Sequence, residues 1–241
     1  MSTKELTLEQ KVQKVLDIQE VQNVMSHHQF MASAGKNKEE LETIWAQKAP
    51  DVSFGQIPGR WVGMKAIMDY YGAPKGYGIE KNFAALKKVF PDINFDKTTF
   101  TQHSFKSFIT LTTPIIEIAG DGQTAKGVWY APGYLTHLEG EKFDGWWMWE
   151  RYAVDFIKED GEWKIWHFNV FTDIACPYNK SWVDLAMERI AAKTPPRGGI
   201  PGLPPPNEAP TLKWSAYDPT FVGDDFPLPV PYETFSETFS Y

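Results

Sequence analysis

The apolar positions of this chain repeat with one period near the N-terminus and with another further on. Thr7-Leu8-Glu9-Gln10 has the form of a capping box, in which a hydroxyl and a carboxamide satisfy amide donors at a helix start. Beyond it Val12, Val15, Leu16, Ile18, Val21, Val24, Met25 and Met31 recur at steps of three and four, predicting a long helix that ends at Ala34-Gly35-Lys36. Shorter helices are predicted over Lys38 to Trp45, Met64 to Tyr71 and Ile79 to Val89, with a strand at Val52 to Phe54 and a turn at Pro58-Gly59. From Thr98 the period becomes two. The segments 98–118, 124–137, 146–158 and 163–172 are rich in β-branched and aromatic residues, with turn signals at Gly120-Asp121-Gly122, Glu139-Gly140 and Asp160-Gly161 between them. Helices first and hairpin-linked strands afterwards predict an α+β fold, a curved antiparallel sheet packed against N-terminal helices. No dinucleotide or phosphate loop is present in the sequence.

A last helix is predicted over Ser181 to Lys193, and the expected division is a folded domain at 1–193 and an arm at 194–241. Eleven of the eighteen prolines fall between 195 and 231, which excludes a packed helix or sheet there. The arm also carries Trp214, Tyr217, Phe221, Phe226, Tyr232, Phe235, Phe239 and Tyr241. A solvated linker is poor in rings, so the arm is expected to dock on a surface, its own or a neighbour's.

Composition narrows the function. The chain has 241 residues, with 24 basic and 31 acidic side chains giving a formal charge of −7, the wrong sign for holding a phosphate backbone. Nucleic acid is therefore not an expected partner. The single cysteine, Cys176, excludes an internal disulfide and suits a reducing compartment. A polar N-terminus and the lack of a long apolar run argue against a signal peptide or membrane span, so a soluble cytoplasmic protein is expected. Aromatic residues make up 15% of the chain, enough for a thick core or for a pocket that takes something flat and apolar.

His28 lies on the apolar stripe of the first helix and is expected to point at the sheet. His167 and Asn169 alternate with Trp166 and Phe168 on the last strand, and Asp173 falls in step if no bulge intervenes. On the strand before it, Glu150 and Tyr152 share one face while Trp149, Arg151 and Asp155 share the other, so Glu150 and Arg151 are alternatives for the cavity. Tyr130 and Tyr134 point the same way, and in an aromatic cavity phenols serve as proton donors. His28, Tyr130, Tyr134, His167 and Asn169 are the expected catalytic set. Phe54, Trp61, Tyr70, His103, Trp129, His137, Trp149, Glu150, Arg151 and Asp173 are the expected substrate contacts. The histidines lack chelating spacings and no nucleophile elbow is present, so neither a metal nor a cofactor is expected.

Several segments together resemble the SnoaL-like branch of the nuclear-transport-factor-2-like superfamily. They are Leu16-Asp17-Ile18-Gln19-Glu20-Val21-Gln22 with His28 and Ala34, Glu39-Glu40-Leu41, Trp61-Val62-Gly63 with Lys65-Ala66-Ile67, Thr113-Pro114-Ile115-Ile116-Glu117-Ile118, Ala125-Lys126-Gly127-Val128-Trp129-Tyr130, and Asp160-Gly161-Glu162-Trp163-Lys164-Ile165. The resemblance covers about residues 10–175 and implies a cone of helices over a curved sheet with a pocket between them. Against the family's bile-acid dehydratases, His28 and Ser33 stand where a Tyr and an Asp would, and Ile109 and Thr172 replace a catalytic His and Arg, so that constellation is not kept. The length, the arm and Trp146-Trp147-Met148-Trp149 look more like the cofactor-independent lyases of lignin-derived diarylpropanes, which release formaldehyde and leave a stilbene. This implies a small aromatic substrate. The superfamily's covered convex sheet face implies a homo-oligomer, trimer ahead of dimer.

Overall fold

The computed structural model describes residues 6–72, 79–94, 107–139, 142–194 and 203–241. Helix α1 (Leu8–Ser33) opens with the capping box as predicted, Thr7 Oγ1 accepting from the Gln10 amide and Gln10 Oε1 from the Thr7 amide. It is followed by α2 (Asn37–Thr43), the hairpin β1 (Ser53–Gln56) and β2 (Gly59–Val62), α3 (Met64–Tyr70) and α4 (Ile79–Val89). The strands β3 (Ser107–Ile109), β4 (Thr112–Ile118), β5 (Thr124–Glu139), β6 (Lys142–Glu159) and β7 (Glu162–Pro177) come next, and α5 (Trp182–Ala191) last. Among the described residues the sheet runs β2-β1-β7-β6-β5-β3, with β4 also on β5, and only β1 and β7 pair in parallel. This is the α+β cone: helices to one side of a curved sheet.

The sheet has two differently covered faces. On the helix side Val21, Met25 and Leu41 meet Trp129, Tyr152, Val154, Phe156, Ile165 and Phe168 in the main core. On the other side Val128, Ala153 and Phe171 are covered by Leu212, Trp214, Phe226, Phe239 and Tyr241 of the arm. The arm forms no strand and no helix beyond a 3-10 turn at Phe235–Glu237. It is tied down where it passes the first hairpin, Trp61 Nε1 donating to the Pro204 carbonyl at 3.0 Å and Arg60 pairing with Glu208 at 2.6 Å. Gly59 has a φ of 149°, and a Cβ there would lie 2.5 Å from the Glu208 carbonyl, so the close approach of the arm depends on glycine.

The first helix corrects one expectation. Val12, Val15 and Leu16 are exposed, while Asp17, Val21, Met25 and His28 are buried. At about 100° per residue Val12 stands on the opposite side of the helix from Val21, so the three- and four-residue spacing winds around the helix and does not keep to one face. Asp17 goes inside because Lys158 Nζ and Trp163 Nε1 donate to it at 2.7 and 2.9 Å. The hairpin partner β2 was not among the predicted strands, and residues 98–106 of the first predicted long strand lie outside the described residues.

Candidate functional site

The sheet register decides which expected residues meet. Phe168 faces the helices and His167, its neighbour, faces the arm, since side chains alternate along a strand. His28 stands on the helix side, its ring 4.7 Å from Phe168 and 5.9 Å from Tyr152, both edge-on. Phe54, Trp61, Tyr70 and Trp129 are buried on that side too. Trp61 and Tyr70 stack at 3.5 Å, and Tyr70 OH donates to Gln56 Oε1.

His28 is held by Glu40, which is fully buried on α2. Nδ1 of His28 lies 2.8 Å from Glu40 Oε1; Trp45 Nε1 donates to the same oxygen at 2.8 Å, and Tyr71 OH to Oε2 at 2.9 Å. A carboxylate with three donors around it is fixed in place, and an ionised carboxylate accepts only, so the hydrogen of a neutral imidazole sits on Nδ1. Nε2 then keeps its lone pair, and it forms no hydrogen bond to any described residue. An oriented imidazole with a free Nε2 among aromatic walls is the arrangement of a general base. Glu40, Trp45, Tyr71 and Tyr152 were not expected in the site. The available signal was an acidic residue embedded beside Leu41 on a short helix twelve positions after His28.

Glu150 is also on the helix side, and Arg151 is not. The pairing of β6 with β7 shifts register between Trp149 and Glu150, leaving Asp173 as the extra residue of a bulge. Glu150 pairs with Thr172, whose hydroxyl donates to Oε1 at 3.2 Å, while Arg151, on the opposite face of β6, pairs with Asp173 at 2.9 Å. Burial pushes the Glu150 carboxyl up to about 7, against the hydroxyls of Thr172 and Tyr152 and the nearby His28, which pull it down. Burial also raises the Asp173 carboxyl, opposed by Arg151.

The other expected residues stand elsewhere. His167 is under the arm, its Nδ1 2.9 Å from Asp155 Oδ2 and 3.0 Å from Ser240 Oγ. Asn169 is buried on the same face beside Gly55, where a Cβ would strike its side-chain oxygen. Tyr130 and Tyr134 do point the same way, but outward: Tyr130 lies over the Arg151 guanidinium and Tyr134 stacks on Phe108. Trp149 is exposed on the arm side of β6. His103 lies outside the described residues, and His137 is placed by its backbone alone, opposite Asp144. Of the expected catalytic set, the structure thus separates His28 from the other four, because the polar face of β7 is closed by the arm and not by the helices.

No group of three or more metal-binding side chains occurs among the described residues, and none of the described helices is long and apolar enough to cross a membrane. Comparison with known proteins bears on the fold. The hexachlorocyclohexane dehydrochlorinase LinA-type3 of Novosphingobium barchaimii is 13% identical and superposes with a TM-score of 0.50 over 71% of this chain and 96% of its own. A nuclear-transport-factor-2-like superfamily protein of Salmonella enterica serovar Typhimurium, 14% identical, gives 0.47 over 69% and 98%. At such identities the likeness is one of fold. No curated protein matches the sequence. The sequence model of the SnoaL-like domain matches residues 13–169, and on that match the chain belongs to the SnoaL-like domain family.

Proposed function

We propose that the protein is an acid–base lyase that needs no cofactor and acts on an uncharged aromatic small molecule, and that its reaction is the deformylation of a lignin-type diarylpropane diol. The observation that carries this reading is His28, oriented by Glu40 and enclosed by Tyr71, Tyr152 and Phe168. Aromatic walls suit aryl rings. In the reaction Nε2 of His28 takes the proton of the primary hydroxyl, and the bond between the two adjacent carbons breaks. The terminal carbon leaves as formaldehyde. The released electron pair becomes the stilbene double bond and expels the benzylic hydroxyl, which departs as water once protonated.

Incubation with a racemic diarylpropane diol bearing a para-phenol tests it: stilbene and formaldehyde are expected in equal amounts. Loss of water without formaldehyde would replace this reading by a dehydratase of a polyketide- or steroid-like molecule, and silence across an aromatic panel would leave a hydrophobic-ligand carrier. The proposal extends to a cytoplasmic homo-oligomer, trimer ahead of dimer. Exposed Leu8, Val12, Val15 and Leu16 on α1 and Phe108, Trp147 and Trp149 at the far end of the sheet supply apolar surface for assembly. Light scattering that gave 27.5 kDa, the mass of a single chain, would refute the assembly.

A further inference from the structure

We propose that Glu150 is the acid of the same site, delivering the proton with which a benzylic hydroxyl leaves; this rests on the acid–base reading above. The first support is its placement. The register Tyr152↔Val170, Arg151↔Phe171, Glu150↔Thr172 is continuous and sets Thr172 opposite Glu150 on the helix side, while strand alternation puts Arg151 and Asp173 on the arm side, where they pair. The one basic neighbour in sequence is thereby taken away from the carboxyl. What faces Glu150 from the elements around it is Thr172 on β7, the Tyr152 hydroxyl on its own strand, and Ala131 across β5, with His28 of α1 and Asp173 as the nearby titratable groups. Ala131 is small and fully buried.

The second support is its relation to the base. The Tyr152 hydroxyl bonds to Glu150 and the Tyr152 ring packs edge-on against His28, so one side chain spans the two groups. Asp155 and Asp17, also buried, each have a lysine beside them, Lys126 and Lys158. Glu150 has hydroxyls instead, which suit a neutral carboxyl as well as an ionised one. A carboxyl kept neutral near the pH at which a neutral imidazole can act supplies the complementary half of the chemistry. The balance closes: the proton leaving the primary hydroxyl goes to His28, and the proton joining the benzylic oxygen comes from Glu150. One exchange between the two groups, through Tyr152 or solvent, restores both.

The inference defines a substrate class. The reacting molecule is neutral at the carbon that loses oxygen and carries a leaving group that needs protonation, a hydroxyl in place of a halide or an activated ester. The buried carboxylate Glu40 behind His28, with no lysine or arginine among its hydrogen-bond partners, disfavours a carboxylated or phosphorylated substrate.

The test compares leaving groups. Benzylic hydroxyl and benzylic 4-nitrophenolate versions of the diol are given to the wild type, Glu150→Gln and Glu150→Asp. The expected result is a kcat loss of about 100-fold or more for the hydroxyl substrate in Glu150→Gln, with the nitrophenolate substrate within a few-fold of wild type. Glu150→Asp is expected to recover part of the loss. Equal losses on both substrates, or none, would overturn the acid role. If the wild type turns over neither substrate, the lyase reading fails by itself. The acid is then decided by wild-type minus Glu150→Gln infrared difference spectra at pH 6. A protonated carboxyl band that shifts when the diol binds supports it, and an ionised carboxylate or an unshifted band overturns it.

Discussion

His167 and Phe168 are neighbours on β7 and belong to different sides of the protein: the Phe168 ring meets His28 at 4.7 Å, and His167 Nδ1 meets Asp155 at 2.9 Å beneath the arm. Two histidines that look equivalent in sequence therefore have opposite expected roles. His28→Asn should lower kcat by about 100-fold or more. His167→Asn should leave kcat within a few-fold and instead cost about 1–3 kcal/mol of stability, since it strips a donor from a buried carboxylate. Steady-state kinetics paired with urea unfolding of the two variants checks this; equal effects on activity would place the chemistry on the arm side.

Glu40 is expected to act through His28. In Glu40→Gln the carboxamide can still accept from one or two of Trp45, Tyr71 and His28, but it no longer fixes the imidazole hydrogen on Nδ1. We expect kcat to fall with little change in KM, the pH profile of kcat to shift, and stability to drop by about 1–3 kcal/mol. An unchanged pH profile would reduce Glu40 to a packing residue.

Glu150 gives a stability signature with a definite sign. Its folded carboxyl is raised from 4.5 to about 7, so between those values the unfolded chain ionises while the folded one stays neutral. Stability contributed below pH 4.5 is then lost as pH rises through about 7, by up to about 3 kcal/mol in total. Glu150→Gln should remove this slope. Urea unfolding at intervals from pH 4.5 to 8 measures it, and parallel curves for wild type and variant would show that Glu150 is ionised throughout.

The end of the arm is expected to be held by one buried carboxylate. Asp155, itself fully buried, accepts from Lys126 at 2.6 Å, from His167 and Ser240, and from the Tyr241 amide at 3.0 Å. Lys126 is also fully buried, lies 4.5–5.0 Å from the ring centres of Phe235, Phe239 and Tyr241, and has its ammonium pulled down by burial against the pull of Asp155. Asp155→Ala strands that charge and should cost about 3–5 kcal/mol, with new protease cleavage between residues 232 and 241. Lys126→Met added to it should recover most of the loss. Cleavage that stayed at the wild-type rate in Asp155→Ala would show that the rings alone hold the arm.

Much of this was legible in the sequence. The capping box, the change of period, the turn glycines and the shift to proline after the last helix mark local events, and local chemistry is sufficient to place them. The period of two also showed that Glu150 and Tyr152 share a face and that Arg151 is opposite. It left open which face was which, and two bulges, at Asp173 and at Trp166, alter what lies beside each residue without leaving a signal in the pattern. The second bulge sets Trp166 against His167 at 4.3 Å, so a residue expected to alternate with the histidine stacks on it.

The sequence by itself determined which residues travel together: the helix register, the strand faces and the rings of the arm all follow from spacing and side-chain type. Only the tertiary structure decided what covers each face. The helices close one side and the arm the other, and both are polar enough at their contact points to bury charges, so hydrophobicity does not distinguish them. Glu40 meets His28 because α2 folds back on α1, and Glu150 faces inward because the helices pack on the face of β6 that it shares with Tyr152. Both are long-range packing outcomes, in which the free energy of burial is shared among residues far apart in the chain.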